Sequence, residues 1–398
     1  MALGKFNLTD ASALFKIKYE KLSENVYNSS NVLLGRCKKS YDFVGSKLQI
    51  AIPQSFAGGV GSGSLPAASK PKYGSAEISA KKVYSRVEID RETIKASLKD
   101  EGSFVKATKE IVKKGVESYM RNMSRILFSD ASGKLGDIAS GAGSASLVIT
   151  SMKEANFEEG DLVDTLDSSN AVVNAGLEIT AVDPDTSTVT VSASTGGTST
   201  QIVMQNSYNK DPEGLKGIVK NSTNLLAASK SPYGITADRK WSATEVDGAS
   251  ASISTDLLNK VMLNVEKKCG KAPNLLICSY KQYEKILNLL EDQKRFTVAT
   301  RAGLKSKSGA DISFSGVEFM SSAGPVGIFP ERFCDDDRVY ALNDNHIHIH
   351  HRPDFGWFDD DGTVFLRKAD DDSYEARYGG YLEVYINPSF QGVIKNLA

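Results

Sequence analysis

Residues 84–136 read YSRVEIDRETIKASLKDEGSFVKATKEIVKKGVESYMRNMSRILFSDASGKLG, and three kinds of local signal follow one another in that stretch. Its start belongs to KKVYSRVEID at 81–90, a strand-like run. Beyond Asp100, Val112, Val116, Tyr119, Met120, Met123, Ile126 and Leu127 recur at three- and four-residue steps, the apolar stripe of a helix. The spacing predicts a helix of about 25 residues, roughly 38 Å long. Lys106, Lys109, Lys113 and Lys114 occupy much of its other face, which suits solvent or else a subunit or nucleic-acid contact. Ser-Asp-Ala-Ser-Gly at 129–133 ends it with a glycine suited to a left-handed turn.

Upstream, KLQIAIP alternates Leu48, Ile50 and Ile52 as a strand. The glycines between Gly58 and Gly63 resemble a nucleotide loop only superficially. A dinucleotide fingerprint needs a helix immediately after its glycines, and Pro66 and Pro71 oppose one. Ser132-Gly133-Lys134-Leu135 lacks the preceding glycine and the following Ser or Thr of a phosphate-binding loop. Residues 54–75 therefore read as a long, flexible, hairpin-like loop, of a length that is usually functional or disordered.

Downstream the charge changes sign. Residues 1–140 carry a net +9, residues 141–215 a net −9 and the remainder −1. The acidic segment is also rich in Ser, Thr, Val and Gly, and LVITSM, GLEITAVD and STVTVSAS alternate β-branched with polar residues between turn signals. It reads as a separate small β-barrel or sandwich. After it, SISTDLLNKVMLNVEKKCG is a helix with Leu257, Val261 and Val265 on one stripe, capped by Ser254 or Thr255 and stopped at Gly270. NLLIC is a buried strand, Ser279 caps the helix YKQYEKILNLLE, and strands follow at GVEFM, PVGIFP, RVYAL, HIHIH, TVFLR and EARYGGYLEVYI. That order beside a separate β module is an α+β protein.

The 398 residues are enough for a large core, and Lys+Arg 48 against Asp+Glu 49 argues against a generic polyanion binder. No basic start with an apolar stretch opens the chain and no window approaches a membrane span, so neither secretion nor a membrane partner is expected. Cys37, Cys269, Cys278 and Cys334 are too scattered for a disulfide framework and read as reduced, buried thiols.

Signals for catalysis fail one by one. Alternation would put His346, His348 and His350 on one face of a strand, where imidazoles could in principle hold a metal for a metal-dependent enzyme. Three ligands so spaced span some 13 Å at ~3.3 Å per residue, too far to meet at one ion, so an exposed or interface-facing strand is the expectation. The kinase-like words around Asp354-Phe355-Gly356 overlap and lack their partner motifs. The acidic runs at 335–337, 359–361 and 370–372 lack the spacing of a calcium loop and read as solvated turns. No nucleophile elbow or metalloprotease helix is present. No catalytic residue, metal or cofactor is expected.

The order of elements resembles the major capsid proteins of tailed bacteriophages with the Hong Kong 97 fold, over nearly the whole chain. YSRVEIDRETIKASLKDEGSFVKATKEIV with RILFSDASGKLG is similar to that family's Ile-Asp-x-Glu segment, acidic-glycine-Phe helix start and Gly/Ser turn. GLKGIV at 214–219 resembles its return into the axial domain. SGVEFMSSAGPVGIFPERFCDDDRVYAL and the segment from DDDGTVFLRK to the end, with Arg377 and Pro388, resemble its closing region.

The resemblance implies a Hong Kong 97-type α+β fold: an N-arm at 1–44, an extended loop at 45–80, a peripheral domain with a spine helix at 81–140 and 363–398, an inserted small β-barrel domain at 141–213 and an axial domain at 222–362. It implies hexamers and pentamers of this chain closing an icosahedral head shell around double-stranded DNA bound without sequence specificity, assembled in the host cytoplasm, with a portal protein at one vertex. The absence of a long charged helical leader favours a separate scaffolding protein. The expected subunit contacts are Phe56, Gly58, Gly59, Gly61, Gly63, Lys70, Lys72 and Tyr73 in the loop, and Lys106, Lys113 and Arg121 on the helix. An encapsulin-type nanocompartment is the alternative of the same fold, disfavoured by the inserted module and the length.

Overall fold

The computed structural model describes residues 32–41, 43, 45, 47–55, 72–90, 101–291, 303–305, 311–313, 317–322, 324–352, 356–358, 364–368 and 371–398, with 54–55, 90, 101–112, 290–291, 303–305, 311–313 and 317–318 in backbone alone. In chain order the elements begin with α1 (Val32–Arg36), β1 (Lys38–Ser40), β2 (Lys47–Ser55), β3 (Lys72–Ser79), β4 (Lys81–Asp90) and α2 (Glu101–Phe128). Six strands follow: β5 (Lys134–Ser140), β6 (Ser146–Thr150), β7 (Leu162–Leu166), β8 (Val172–Asp183), β9 (Thr188–Val191) and β10 (Gln201–Met204). Next come α3 (Leu215–Ile218), α4 (Ser222–Ala227), β11 (Thr244–Asp247), α5 (Thr255–Cys269), β12 (Leu275–Cys278) and α6 (Tyr280–Glu291). The last strands are β13 (Gly303–Lys305), β14 (Asp311–Ser313), β15 (Val317–Ser321), β16 (Gly324–Pro330), β17 (Val339–Leu342), β18 (Ile347–His351), β19 (Gly356–Trp357), β20 (Leu366–Arg367), β21 (Ser373–Ile386) and β22 (Gly392–Lys395).

The chain divides into two compact units, one of residues 1–46, 80–124 and 349–383, the other of 47–79, 125–348 and 384–398. In the first, β4 pairs antiparallel with ten residues of β21, and β19 and β20 also pair with β21. Val83, Val87 and Ile89 are buried on one face of β4, and Lys82, Tyr84, Arg86 and Glu88 are exposed on the other. Helix α2 covers the apolar face. A Cβ on its Gly115 would come within 2.5 Å of Val87 Cγ2, so the glycine admits a close approach that offsets its poor helix propensity. Val116, Tyr119, Met120 and Met123 are buried as the periodicity predicts, and Tyr119 meets Tyr378 edge-on at 5.3 Å.

The second unit contains a closed barrel in the order β10-β5-β6-β9-β8-β7. Alternate residues fill it: Leu147 and Ile149, Leu177 and Ile179, Val189 and Val191, with Leu135, Phe157, Val163 and Ile202. The barrel therefore begins at Lys134, upstream of the start at 141 expected for the inserted segment, because β5 is needed to close it between β10 and β6. The same unit holds a six-stranded sheet, β11-β22-β17-β12-β16-β15. Helix α5 packs on it through Leu258, Val261, Met262 and Val265, capped by the Ser254 side chain and ended by Gly270 at φ 72. A Cβ on Gly392 would lie 2.7 Å from Val265 Cγ2, so β22 lies directly under the helix. Because β22 pairs with β11 and β17, the closing segment 363–398 is shared between the two units instead of belonging to a single peripheral domain.

Burial departs from expectation at two places. His350 and His351 are 6% and 1% exposed and His348 is half-buried, so of the exposed or interface-facing strand expected the exposed form does not hold, and His346 lies in a 3-10 turn before β18, stacked on Phe390 at 3.7 Å. Asp335 is buried instead of lying in a solvated turn.

Candidate assembly surfaces

The hairpin of β2 and β3 is two-faced by register. Leu48, Ile50 and Ile52 pair with Ile78, Ala76 and Gly74, while Gln49, Pro53, Tyr73 and Glu77 lie on the opposite face, with Lys47 paired to Glu77. On the apolar face Ala76 and Ile78 of β3 are fully covered and Leu48, Ile50 and Ile52 of β2 only half-covered, while on the opposite face Tyr73 is 57% exposed. Lys72 and Tyr73 are thus strand residues, which shortens the loop expected at 54–75. Phe56, Gly58, Gly59, Gly61, Gly63 and Lys70 lie outside the described residues.

On α2, Lys106 is described in backbone alone. Lys113 is half-buried, 3.6 Å from Glu117 one turn on, and Arg121 is half-buried. The structure does not bring the helix residues and the loop residues together into one described site.

A surface not singled out by the sequence reading lies on the open face of β4 and β21. Lys82, Tyr84, Arg86, Phe358, Arg377 and Tyr381 border a groove of about 270 Å³. Register sets Arg86 opposite Arg377 and Glu88 opposite Glu375, an unfavourable pairing of like charges. It is offset diagonally, since Arg86 and Arg377 both bind Glu375 and Lys368 binds Glu88 at 3.0 Å. Arg352 stacks over the Tyr381 ring at 5.0 Å. The available signal was the alternation of Lys82, Tyr84 and Arg86 with buried valines.

Where the barrel meets its neighbouring loops, Asp335 gathers Lys153 from the barrel, Lys216 at 3.2 Å and Arg338 at 3.5 Å. Burial alone would raise its carboxyl pKa, but the three cations outweigh it and hold it below the usual carboxylate range. Arg125, at the end of α2, binds Asp211 at 2.9 Å with both side chains buried. Lys153 and Asp335 border a cleft of about 760 Å³ together with Lys134, Lys216 and Lys281.

Among the described residues no cluster of His, Cys, Asp and Glu could hold a metal, and no helix is long and apolar enough to cross a membrane. Burial, Lys39 and His350 together pull the His351 imidazole down to about 3, so it is neutral at physiological pH. None of the four cysteines is in a disulfide; Cys37, Cys278 and Cys334 are buried, whereas Cys269 is partly exposed. Burial pushes the Cys278 thiol up to about 12, which makes it inert rather than nucleophilic.

No curated protein sequence matches the chain. The family described as SU10 major capsid protein matches residues 165–355, just under half of the chain. The fold is similar to a chain of the cyanophage A-1(L) capsid asymmetric unit at TM-score 0.52, with 9% identity over 92% of this chain and 93% of that one. Mycobacterium phage Bobi is similar at TM-score 0.43, 9% identity and coverages of 99% and 99%. The SrpI encapsulin of Synechococcus elongatus is similar at 0.39, 10% identity and coverages of 93% and 89%. Over residues 165–355 the chain is thus similar to a major capsid protein family, and over most of its length its α+β fold, with a long helix and a closed barrel, is similar to that of a phage capsid chain.

Proposed function

We propose that copies of this chain form hexamers and pentamers that close an icosahedral head around double-stranded DNA, and that the β2–β3 hairpin is the arm by which one copy engages the next. The observation that carries this reading is the hairpin's part-covered apolar strip, with Leu48, Ile50 and Ile52 only half-covered, and the exposed Tyr73 on its other face. A two-stranded ribbon is marginal on its own, so its apolar strip gains most by being covered by another chain. Such a contact joins one patch to a different patch on the next copy, which generates rings where the rotation between copies closes. The cationic, aromatic groove on β4 and β21 suits a carboxylate-bearing segment of a neighbour, and Lys106, Lys113 and Arg121 offer a second contact along α2.

The acidic barrel is read as outward-facing, where like charge keeps shells apart over a range near the ~8 Å Debye length. A basic arm and helix tolerate DNA nearby without sequence-specific readout. Assembly in the host cytoplasm with a separate scaffolding protein and a portal completes the reading.

Replacing residues 56–71 with a short Gly/Ser turn tests it. The expected result is a monomer with unchanged thermal unfolding that forms no shells in electron micrographs. Normal shells at normal yield would remove the hairpin from the assembly contacts.

A further inference from the structure

Tyr233 has φ 53 and ψ 34, the left-handed region, which a bulky aromatic side chain occupies only where its surroundings hold it there. Its own side chain shows what does so. The hydroxyl accepts the Ile386 N–H at 2.8 Å and donates to the Val384 carbonyl at 2.8 Å, filling two backbone groups of β21 two residues apart. The ring lies 5.2 Å from that of Tyr385. Next to it, the buried Trp241 donates its indole N–H to the Pro232 carbonyl at 3.2 Å. The turn Pro232–Gly234 is therefore pinned from both sides by side chains that lose these bonds if the turn relaxes.

This turn packs against β3, the strand whose Ala76 and Ile78 are 0% and 1% exposed. The hairpin is a separate two-stranded sheet, which cannot bury one of its faces unaided. The cover at its base thus includes a strained turn whose position is set by one phenolic hydroxyl.

We propose that Tyr233 is the positioning residue of the hairpin: its hydroxyl clamps the Pro232–Gly234 turn to β21, and the clamped turn fixes the direction in which β2 and β3 leave the core. The inference rests on the reading of the hairpin as the intersubunit arm, and its test separates the two.

Tyr233→Phe keeps the ring and removes both hydroxyl bonds. In the full-length chain, under conditions that prevent assembly, amide hydrogen exchange across residues 74–79 is expected to rise at least tenfold. The barrel strands and the β12–β17 pair should keep their protection. Under assembling conditions the variant should give aberrant or few shells. Trp241→Phe, which loses only the bond to Pro232, should show the same local pattern in milder form and serves if Tyr233→Phe does not fold. Uniformly faster exchange over the whole unit, or unchanged exchange in the hairpin, would overturn the proposal. Faster exchange confined to the hairpin together with normal shells would uphold the clamp and refute the arm.

Discussion

The barrel and the hairpin are both antiparallel β structure built from alternating residues, yet they solve the problem of the second face in opposite ways. Six strands closed on themselves leave no edge and enclose Leu147, Val163, Ile179, Val189 and Ile202 at 2% exposure or less. Two strands leave two edges and an apolar strip that is only part-covered, buried at Ala76 and Ile78 and half-covered at Leu48, Ile50 and Ile52. The barrel's stability is internal, whereas the hairpin borrows its cover from the Pro232–Gly234 turn and, in the proposed shell, from another copy. Self-sufficiency suits a module inserted into a chain; incompleteness suits a contact that must form only on assembly.

That contrast can be broken most directly in the barrel core. Leu147→Ala should cost about 3–4 kcal/mol, by lost burial and the cavity left behind, read as a drop in the denaturant midpoint. If the barrel unfolds as its own unit, the loss will appear in a separate transition; a single shifted transition would show that its fate is tied to the rest of the unit.

Asp335→Asn probes that tie. It leaves Lys153, Lys216 and Arg338 without their shared carboxylate and should cost about 3 kcal/mol, since breaking a buried ion pair from one side strands the partners. A carboxyl held below its ordinary value contributes stability above the unfolded value, which is lost as pH falls through the folded one. The hub should therefore weaken only in strong acid, below about pH 3.8.

His351 acts in a different window. Its folded value of about 3 lies under the unfolded value near 6.5, so the unfolded chain binds the extra proton between them. Stability should fall as pH drops below 6.5, by at most about 1.4 kcal/mol per pH unit. His351→Gln should flatten the slope of chemical denaturation midpoints between pH 6.5 and 5; an unchanged slope would place the acid sensitivity elsewhere.

The smallest effect on the monomer belongs to the hairpin. Ile50→Ser, at a half-covered position, should change monomer stability by less than about 1 kcal/mol while lowering shell yield in sedimentation. A large monomer effect with intact assembly would erase the distinction between the two regions.

What the sequence alone determined about this protein is what is set within a few residues of chain. The stripe from Val116 to Leu127, the Ser254 and Gly270 caps of α5, the all-buried run Leu275–Cys278 and the alternation of β2, β4, β6, β8 and β9 are local patterns of period 3.6 or 2, and each is present as an element. The ordered series of such elements also carried the family likeness. Tertiary structure alone decided the rest. Strands β5, β7 and β10 carry weaker alternation and exist because barrel closure supplies their hydrogen-bond partners. The chain end joins the β11–β17 sheet because β11 and β17 leave a place for β22 between them. His350, His351 and Asp335 looked like surface residues, since polar side chains usually are. Their burial depends on partners far away in the chain: Tyr41 stacked on His351, and Lys153 and Lys216 beside Asp335. Tyr233 is the extreme case, because nothing next to it in sequence announces a hydroxyl that bonds residues 384 and 386. A pattern of period 2 or 3.6 is a property of neighbours along the chain, whereas a satisfied buried polar group is a property of neighbours in space.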